Sequence, residues 1–256
     1  MKNFKNRTTL FSGTNAYWLA LCSKLAYETE QEASKKLYEL GMRNAIFIDE
    51  CDTQAIVMSD ENKMIISIRG TDSLADAMTD INVSLVQGPG GRVHEGFNIA
   101  TAHIWKDIMR LIKTRGNRSL WLTGHSLGAG IAAIIAAKLV DQYDEPINGI
   151  YTFGMPRTGD KDFAREYNSA LGDRTFRFVN NNDIVTRTPF RSMGYRHVGQ
   201  FMYFDENGNF REDIGWWEKL VDRIHGRIDD IFERGTDGVK DHSMGDYLDR
   251  AGKIVG

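Results

Sequence analysis

The sequence predicts an α/β protein: a mostly parallel central sheet with helices on both faces. Three observations carry this. From Phe97 onward, short apolar runs alternate with amphipathic stretches. That alternation requires crossover connections and hence parallel strands, with a site at their carboxyl ends. A Gly-His-Ser-Leu-Gly turn at 124–128 joins one such run directly to an Ala-rich helix. Finally, 256 residues with 41% hydrophobic and 26% charged content suffice for one sizeable core.

Taken in order, Tyr17, Trp18, Leu21, Leu25 and Ala26 recur at helical spacing, as do Ala33, Leu37 and Leu40 before Gly41, so two short helices open the chain. Apolar runs at 45–48, 55–58 and 64–68 read as a strand meander, the last two separated by Asp60-Glu61-Asn62. Residues 71–92 turn polar and end in Gln87-Gly88-Pro89-Gly90-Gly91, which predicts a loop with one helical turn at most. Phe97, Ala100, Ile104, Ile108, Leu111 and Ile112 mark a long amphipathic helix. Further on, 147–153 predicts a strand, 160–171 a helix, 174–180 a strand, and 195–204 a strand that turns at Asp205-Glu206-Asn207-Gly208. Trp217, Leu220, Val221, Ile224, Ile228 and Ile231 form one stripe of a later helix. A single domain over 1–256 is expected, with no repeat or linker.

With 32 basic and 35 acidic residues, a formal charge of −3 leaves no electrostatic footprint for nucleic acid or a strongly anionic membrane. A neutral or weakly charged substrate follows. Cys22 and Cys51 both lie among apolar residues, where buried free thiols are the simpler reading and one disulfide the alternative. The first nine residues are basic and polar with no apolar signal core behind them, and no apolar run approaches transmembrane length. A cytoplasmic protein is expected, or a secreted one if a signal sequence has been removed.

The chemistry centres on Ser126. The run at 119–123 enters the glycine turn as a strand, and the helix over 129–140 leaves it. Such an elbow strains the serine backbone and lifts its hydroxyl off the sheet, which requires tiny residues two positions to either side; Gly124 and Gly128 supply them. The hydroxyl needs a histidine to take its proton and an acid to hold that histidine's tautomer. In α/β hydrolases the chain order is Ser, Asp or Glu, then His, so the base falls in a late loop. His242 occupies that place, ahead of a helix carrying Tyr247 and Leu248. His94 and His197, which flank predicted strand or helix ends, are rivals that do not take that late place in the order. His103 and His225 fall within helices, and His125 is expected to point away from Ser126 and to pack or bond locally. Asp183 is the candidate acid, because Asn180-Asn181-Asn182-Asp183 breaks the strand over 176–179. Asp241 is disfavoured, since neighbouring side chains rarely pair in this way. The oxyanion of a tetrahedral intermediate needs two donors, read here as the Leu127 backbone N–H and Thr71, which closes Ile68-Arg69-Gly70-Thr71.

These pieces, with Val93-His94-Glu95-Gly96-Phe97, Asn182-Asp183-Ile184-Val185 before Pro189, Tyr195-Arg196-His197-Val198-Gly199 and Asp241-His242-Ser243-Met244, resemble the class 3 lipases, an α/β-hydrolase family, over about 16–248. The resemblance implies an α/β-hydrolase fold, a triad of Ser126, Asp183 and His242, an oxyanion hole of Thr71 and Leu127, and structural roles for His94 and His197. It implies a carboxylic ester hydrolase working through an acyl-enzyme, with no metal and no organic cofactor. A phospholipase A1 is the alternative, and a catalytically silent lipid- or protein-binding module the third reading, disfavoured by the intact triad. The family's lid follows the oxyanion loop. Here that stretch, Ser73-Leu74-Ala75-Asp76-Ala77-Met78, has Ala77 where many relatives carry a tryptophan. Little apolar area is therefore covered, which predicts weak interfacial activation and a preference for short or medium acyl chains. The predicted helix from Trp216 to Arg234 could touch a lipid interface transiently, but Asp222, Asp229, Asp230 and Glu233 favour an ordinary core-facing helix.

Overall fold

The computed structural model describes residues 1–71, 83–212 and 240–255. Helices α1 (Gly13–Leu25) and α2 (Glu30–Glu39) lead into strands β1 (Asn44–Glu50), β2 (Thr53–Ser59) and β3 (Lys63–Ile68), which pair antiparallel in sequence. A hairpin of β4 (Leu85–Gly88) and β5 (Gly91–His94) precedes the long helix α3 (Glu95–Ile112). Strand and helix then alternate through β6 (Ser119–His125), α4 (Leu127–Tyr143), β7 (Gly149–Phe153), α5 (Lys161–Leu171) and β8 (Thr175–Asn180). Strands β9 (Gln200–Phe204) and β10 (Phe210–Glu212) and helix α6 (Met244–Gly252) complete the described elements.

The main sheet runs β1-β2-β3-β6-β7-β8-β9-β10, parallel from β3 to β9 and antiparallel at both margins. Strands β3, β6, β7 and β8 are buried at every position. Such strands have no solvent-exposed face, so both sides of the sheet must be covered. Register sorts the side chains. Ile66, Leu122 and Ile150 align across β3, β6 and β7 and pack with α3, α4 and α5. Their neighbours Ile65, Trp121 and Tyr151 belong to a second core with α1, α2 and α6. Loops that leave the carboxyl ends of β3, β6, β7 and β8 therefore emerge side by side, between two helical layers.

Three expectations need correction. The stretch before α3 is not all loop: Leu85 to His94 forms the β4–β5 hairpin, whose four-residue strands are too short for a period to show. The strand expected over 195–204 begins at Gln200, because Gly199 turns at φ +77° and Arg196 instead bridges to Gly159. Cys51 is exposed, at φ +48° in the β1–β2 turn; it and the buried Cys22 are both free thiols. The stretch from Ser73 to Met78, the predicted helix from Trp216 to Arg234 and His225 lie outside the described residues.

Candidate active site

The elbow after β6 is built as its glycines require. Ser126 sits at φ 58°, ψ −131°, a sparsely populated region for a residue with a side chain. Its N–H donates to the Phe153 carbonyl at 2.9 Å, and its carbonyl accepts from Ala129 N at 3.0 Å. A Cβ at Gly124 would lie 2.5 Å from the Gly128 carbonyl oxygen, and one at Gly128 would meet the Ile68 carbonyl oxygen. Only hydrogen fits at either position. Leu127 is the first residue of α4, so its N–H has no acceptor within the helix and stands at the positive end of the helix dipole. The end of β3 runs alongside: a Cβ at Gly70 would come 3.1 Å from Ser126 Cβ. Thr71, the next residue, thus follows the chain past the elbow.

Asp183 is fully buried just beyond the end of β8, where Asn181 adopts φ +41° and Asp183 N donates to the Asn180 carbonyl. Its carboxylate accepts from Val185 N at 2.9 Å, from the Tyr247 hydroxyl at 2.6 Å and from His242 Nδ1 at 2.8 and 2.9 Å. A buried carboxylate needs such a set of donors to remain charged. A carboxylate can only accept, so Nδ1 of His242 carries the proton and Nε2 of the neutral ring keeps its lone pair. Nε2 is buried and has no hydrogen-bond partner among the described residues.

Asp241 does not contact the imidazole beside it. Its carboxylate accepts from Asn181 Nδ2 and Asn182 N, and its carbonyl from Asn180 Nδ2 at 2.8 Å. It ties the loop carrying His242 to the loop carrying Asp183. Gly154, at the end of β7, lies directly beneath the Asp183–His242 pair. His125 departs from the expected local role: its ring contacts that of His242 at 4.5 Å and bonds to the His242 backbone across the site.

The other histidines are placed elsewhere. Nδ1 of His94 caps α3 by accepting from Phe97 N, and burial lowers its pKa to about 4. His197 is held well below its ordinary value by desolvation and by the cations of Arg177 and Arg157. Among the described residues it has no carboxylate partner of the kind Asp183 gives His242. His103, on α3, lies within reach of Thr53 on β2. Among the described residues, no group of histidine, cysteine and carboxylate side chains could hold a metal ion, and no helix is long and apolar enough to cross a membrane.

Sequence reasoning did not single out Tyr27, Gly154 or Tyr247 as parts of the site. Tyr247 lies on a stripe with Met244 and Ala251 that reads as ordinary core, which it also is. A late histidine followed by a tyrosine one helical turn into the next helix was the one available signal.

The profile of the class 3 lipases matches residues 65–193, a span that includes the elbow and Asp183 and stops short of His242. A secreted mono- and diacylglycerol lipase of Malassezia restricta is 32% identical over 146 residues, covering 52% of this chain and 49% of its own. A Rhizomucor miehei lipase is 30% identical over 169 residues, covering 61% and 46% respectively. The chain thus spans about half the length of these curated relatives. Among solved structures, lipase II from Rhizopus niveus superposes with a TM-score of 0.67 at 20% identity, over 77% of this chain and 83% of that one. That likeness establishes the α/β-hydrolase fold.

Proposed function

The chain belongs to the class 3 lipases, and on that premise we propose that it hydrolyses carboxylic esters of the acylglycerol type through an acyl-enzyme on Ser126. The observation that carries this reading is the pairing of buried Asp183 with Nδ1 of His242, which leaves the Nε2 lone pair unbonded, in a chain whose Ser126 stands in a strained elbow. No hydrogen bond between Nε2 and Ser126 is present; in resting enzymes the serine–histidine bond is often long and tightens with substrate.

In this reading the reaction runs in two stages. Nε2 of His242 takes the Ser126 proton as Oγ attacks the ester carbonyl, and Asp183 stabilises the imidazolium that forms. The carbonyl oxygen becomes an oxyanion, for which Leu127 N–H and Thr71 are the assigned donors, the first aided by the α4 dipole. Collapse expels the alcohol, protonated by His242, and leaves Ser126 acylated. Water then attacks with His242 again as base, releasing the acid and restoring the serine. No step requires a cofactor.

The acylglycerol class is carried over from the Malassezia relative, whose name specifies mono- and diacylglycerols and a secreted protein. Secretion is the location we take from it. The test is turnover of a soluble butyrate ester and of tributyrin by wild type and Ser126→Ala. The variant is expected to fold and to lose at least about 10³-fold in kcat. Mass spectrometry should find a phosphonate adduct on Ser126 of the wild type alone. Full turnover by a folded, clean Ser126→Ala preparation defeats the assignment.

A further inference from the structure

His125 precedes the nucleophile, yet its side chain does its bonding elsewhere. Its Nε2 lies 2.8 Å from the main-chain carbonyl oxygen of His242, and its Nδ1 2.8 Å from the Tyr27 hydroxyl. A carbonyl can only accept, so Nε2 carries the proton; Nδ1 then has a lone pair, and Tyr27 donates to it. Both ring nitrogens are used, and the tautomer is fixed from both ends. Three segments distant in sequence meet here: the turn after α1, the end of β6 and the loop before α6.

We propose that His125, oriented by Tyr27, is a positioning residue that grips the His242 carbonyl and so sets the separation between base and nucleophile. This rests on the reading of Ser126 and His242 given above. The physical argument is one of stiffness. His125 is the last residue of β6, in register with Phe153 of β7, and buried. Its backbone cannot drift relative to Ser126, one residue on. The base, by contrast, lies in a loop, and the contacts of Asp241 tie that loop to the acid. They fix His242 relative to Asp183. The His125 bond supplies the missing constraint, from the strand that carries the nucleophile to the backbone of the base.

The ring contact adds a second element. The two imidazole centroids are 4.5 Å apart with planes tilted by 33°. During acyl transfer His242 becomes a cation, and a second cation at this distance would oppose it. Burial and His242 itself hold His125 well below its ordinary pKa. The groups around it agree: Tyr27 meets it through its hydroxyl, Tyr247 packs edge-on against it, and Lys24 disfavours its protonation. The positioning ring therefore stays neutral while the base charges.

The test uses His125→Gln, whose amide NH₂ stands near the place of the imidazole Nε2, against His125→Asn, whose shorter side chain cannot reach the carbonyl. A soluble butyrate ester is the substrate, and rates are expressed per serine titrated with a fluorescent phosphonate, which removes any loss of folded protein. His125→Gln is expected within about 5-fold of wild-type kcat, and His125→Asn about 10²-fold lower with KM changed less than about 3-fold, the cost of misplacing a reacting group by about 1 Å. Tyr27→Phe, a milder change, is expected to lower kcat about 10-fold. Equal kcat for the Gln and Asn variants overturns the proposal. If the Asn variant does not fold, a Tyr27→Phe enzyme with at least half the wild-type kcat overturns it. Turnover that survives Ser126→Ala refutes instead the triad reading beneath it, so the two failures are distinct.

Discussion

Gly154 faces His242 with nothing between them. A Cβ at Gly154 would lie 2.7 Å from Cε1 and 2.9 Å from Nδ1 of His242, and 3.0 Å from Oδ2 of Asp183. Strand β7 ends in a backbone turn at φ +61°, with Gly154 N donating to the Phe178 carbonyl, so the floor under the Asp183–His242 pair is bare main chain. Gly154→Ala therefore incurs both a left-handed backbone penalty and a clash with the base. It is expected to cost about 1–3 kcal/mol of stability and to lower kcat per titratable serine by about 10²-fold. Urea denaturation and active-site titration measure the two effects separately. Wild-type kcat in the variant would show that the base does not rest where it is described.

Tyr247 makes two contacts with one oxygen, donating to Asp183 Oδ2 and accepting from Asn180 N. Burial and the adjacent carboxylate push its phenol well above the ordinary value, so it donates throughout the working pH range. Tyr247→Phe leaves Asp183 one donor short and Asn180 N–H unsatisfied. Stability is expected to fall by about 1–3 kcal/mol. Asp183, less firmly held, orients His242 less well, and kcat should fall about 10-fold with KM little changed. Thermal melts and steady-state rates on one preparation check both, and unchanged kcat excludes a role for the phenol in the site.

His242 and His197 both follow Asp183 in the chain and differ in their company. One faces a buried carboxylate, the other the cations of Arg177 and Arg157. His242→Ala is accordingly expected to lose kcat nearly as completely as Ser126→Ala, since members of one proton-transfer unit fail together. His197→Ala should retain turnover per folded molecule and lose stability instead. A fully folded but inactive His197 variant would identify the wrong base in the present reading.

These contrasts show how much was legible in the sequence. Ser126 announced itself because the elbow is a local device: the strand before it, the helix after it and the glycines at 124 and 128 lie within a few turns of chain. The pairing of Asp183 with His242 was legible through chain order and a strand break, which are topological signals. Tyr247 and Tyr27 were not, because nothing near either residue reveals what it touches; their partners are 64 and 98 positions away. His125 was misread for the same reason, its partner being 117 residues distant. The β4–β5 hairpin was missed on a different ground: two four-residue strands with glycine at both ends of the turn give too few positions for alternation to register.

His94 should make the fold acid-sensitive. It is buried, 4% exposed, and its Nδ1 accepts from Phe97 N at the start of α3, so the proton of the neutral ring is on Nε2. Nε2 has no partner among the described residues. Protonation would charge a desolvated ring and take away the lone pair that caps the helix, and burial accordingly lowers the pKa to about 4. In the unfolded chain the value returns to about 6.5. Between those two values the unfolded chain binds a proton that the folded chain does not, so stability falls as pH falls through the window and the loss is complete below its lower edge. At about 1.4 kcal/mol per pKa unit, the loss from this one residue is on the order of 3 kcal/mol. His94→Asn keeps an acceptor suited to a helix N-cap and removes the titration. The free energy of urea unfolding, measured for both proteins from about pH 7.5 to 4.5, should therefore decline less steeply in the variant, the slope difference approaching one proton. Parallel curves over that range would show that His94 is not the buried neutral cap described above.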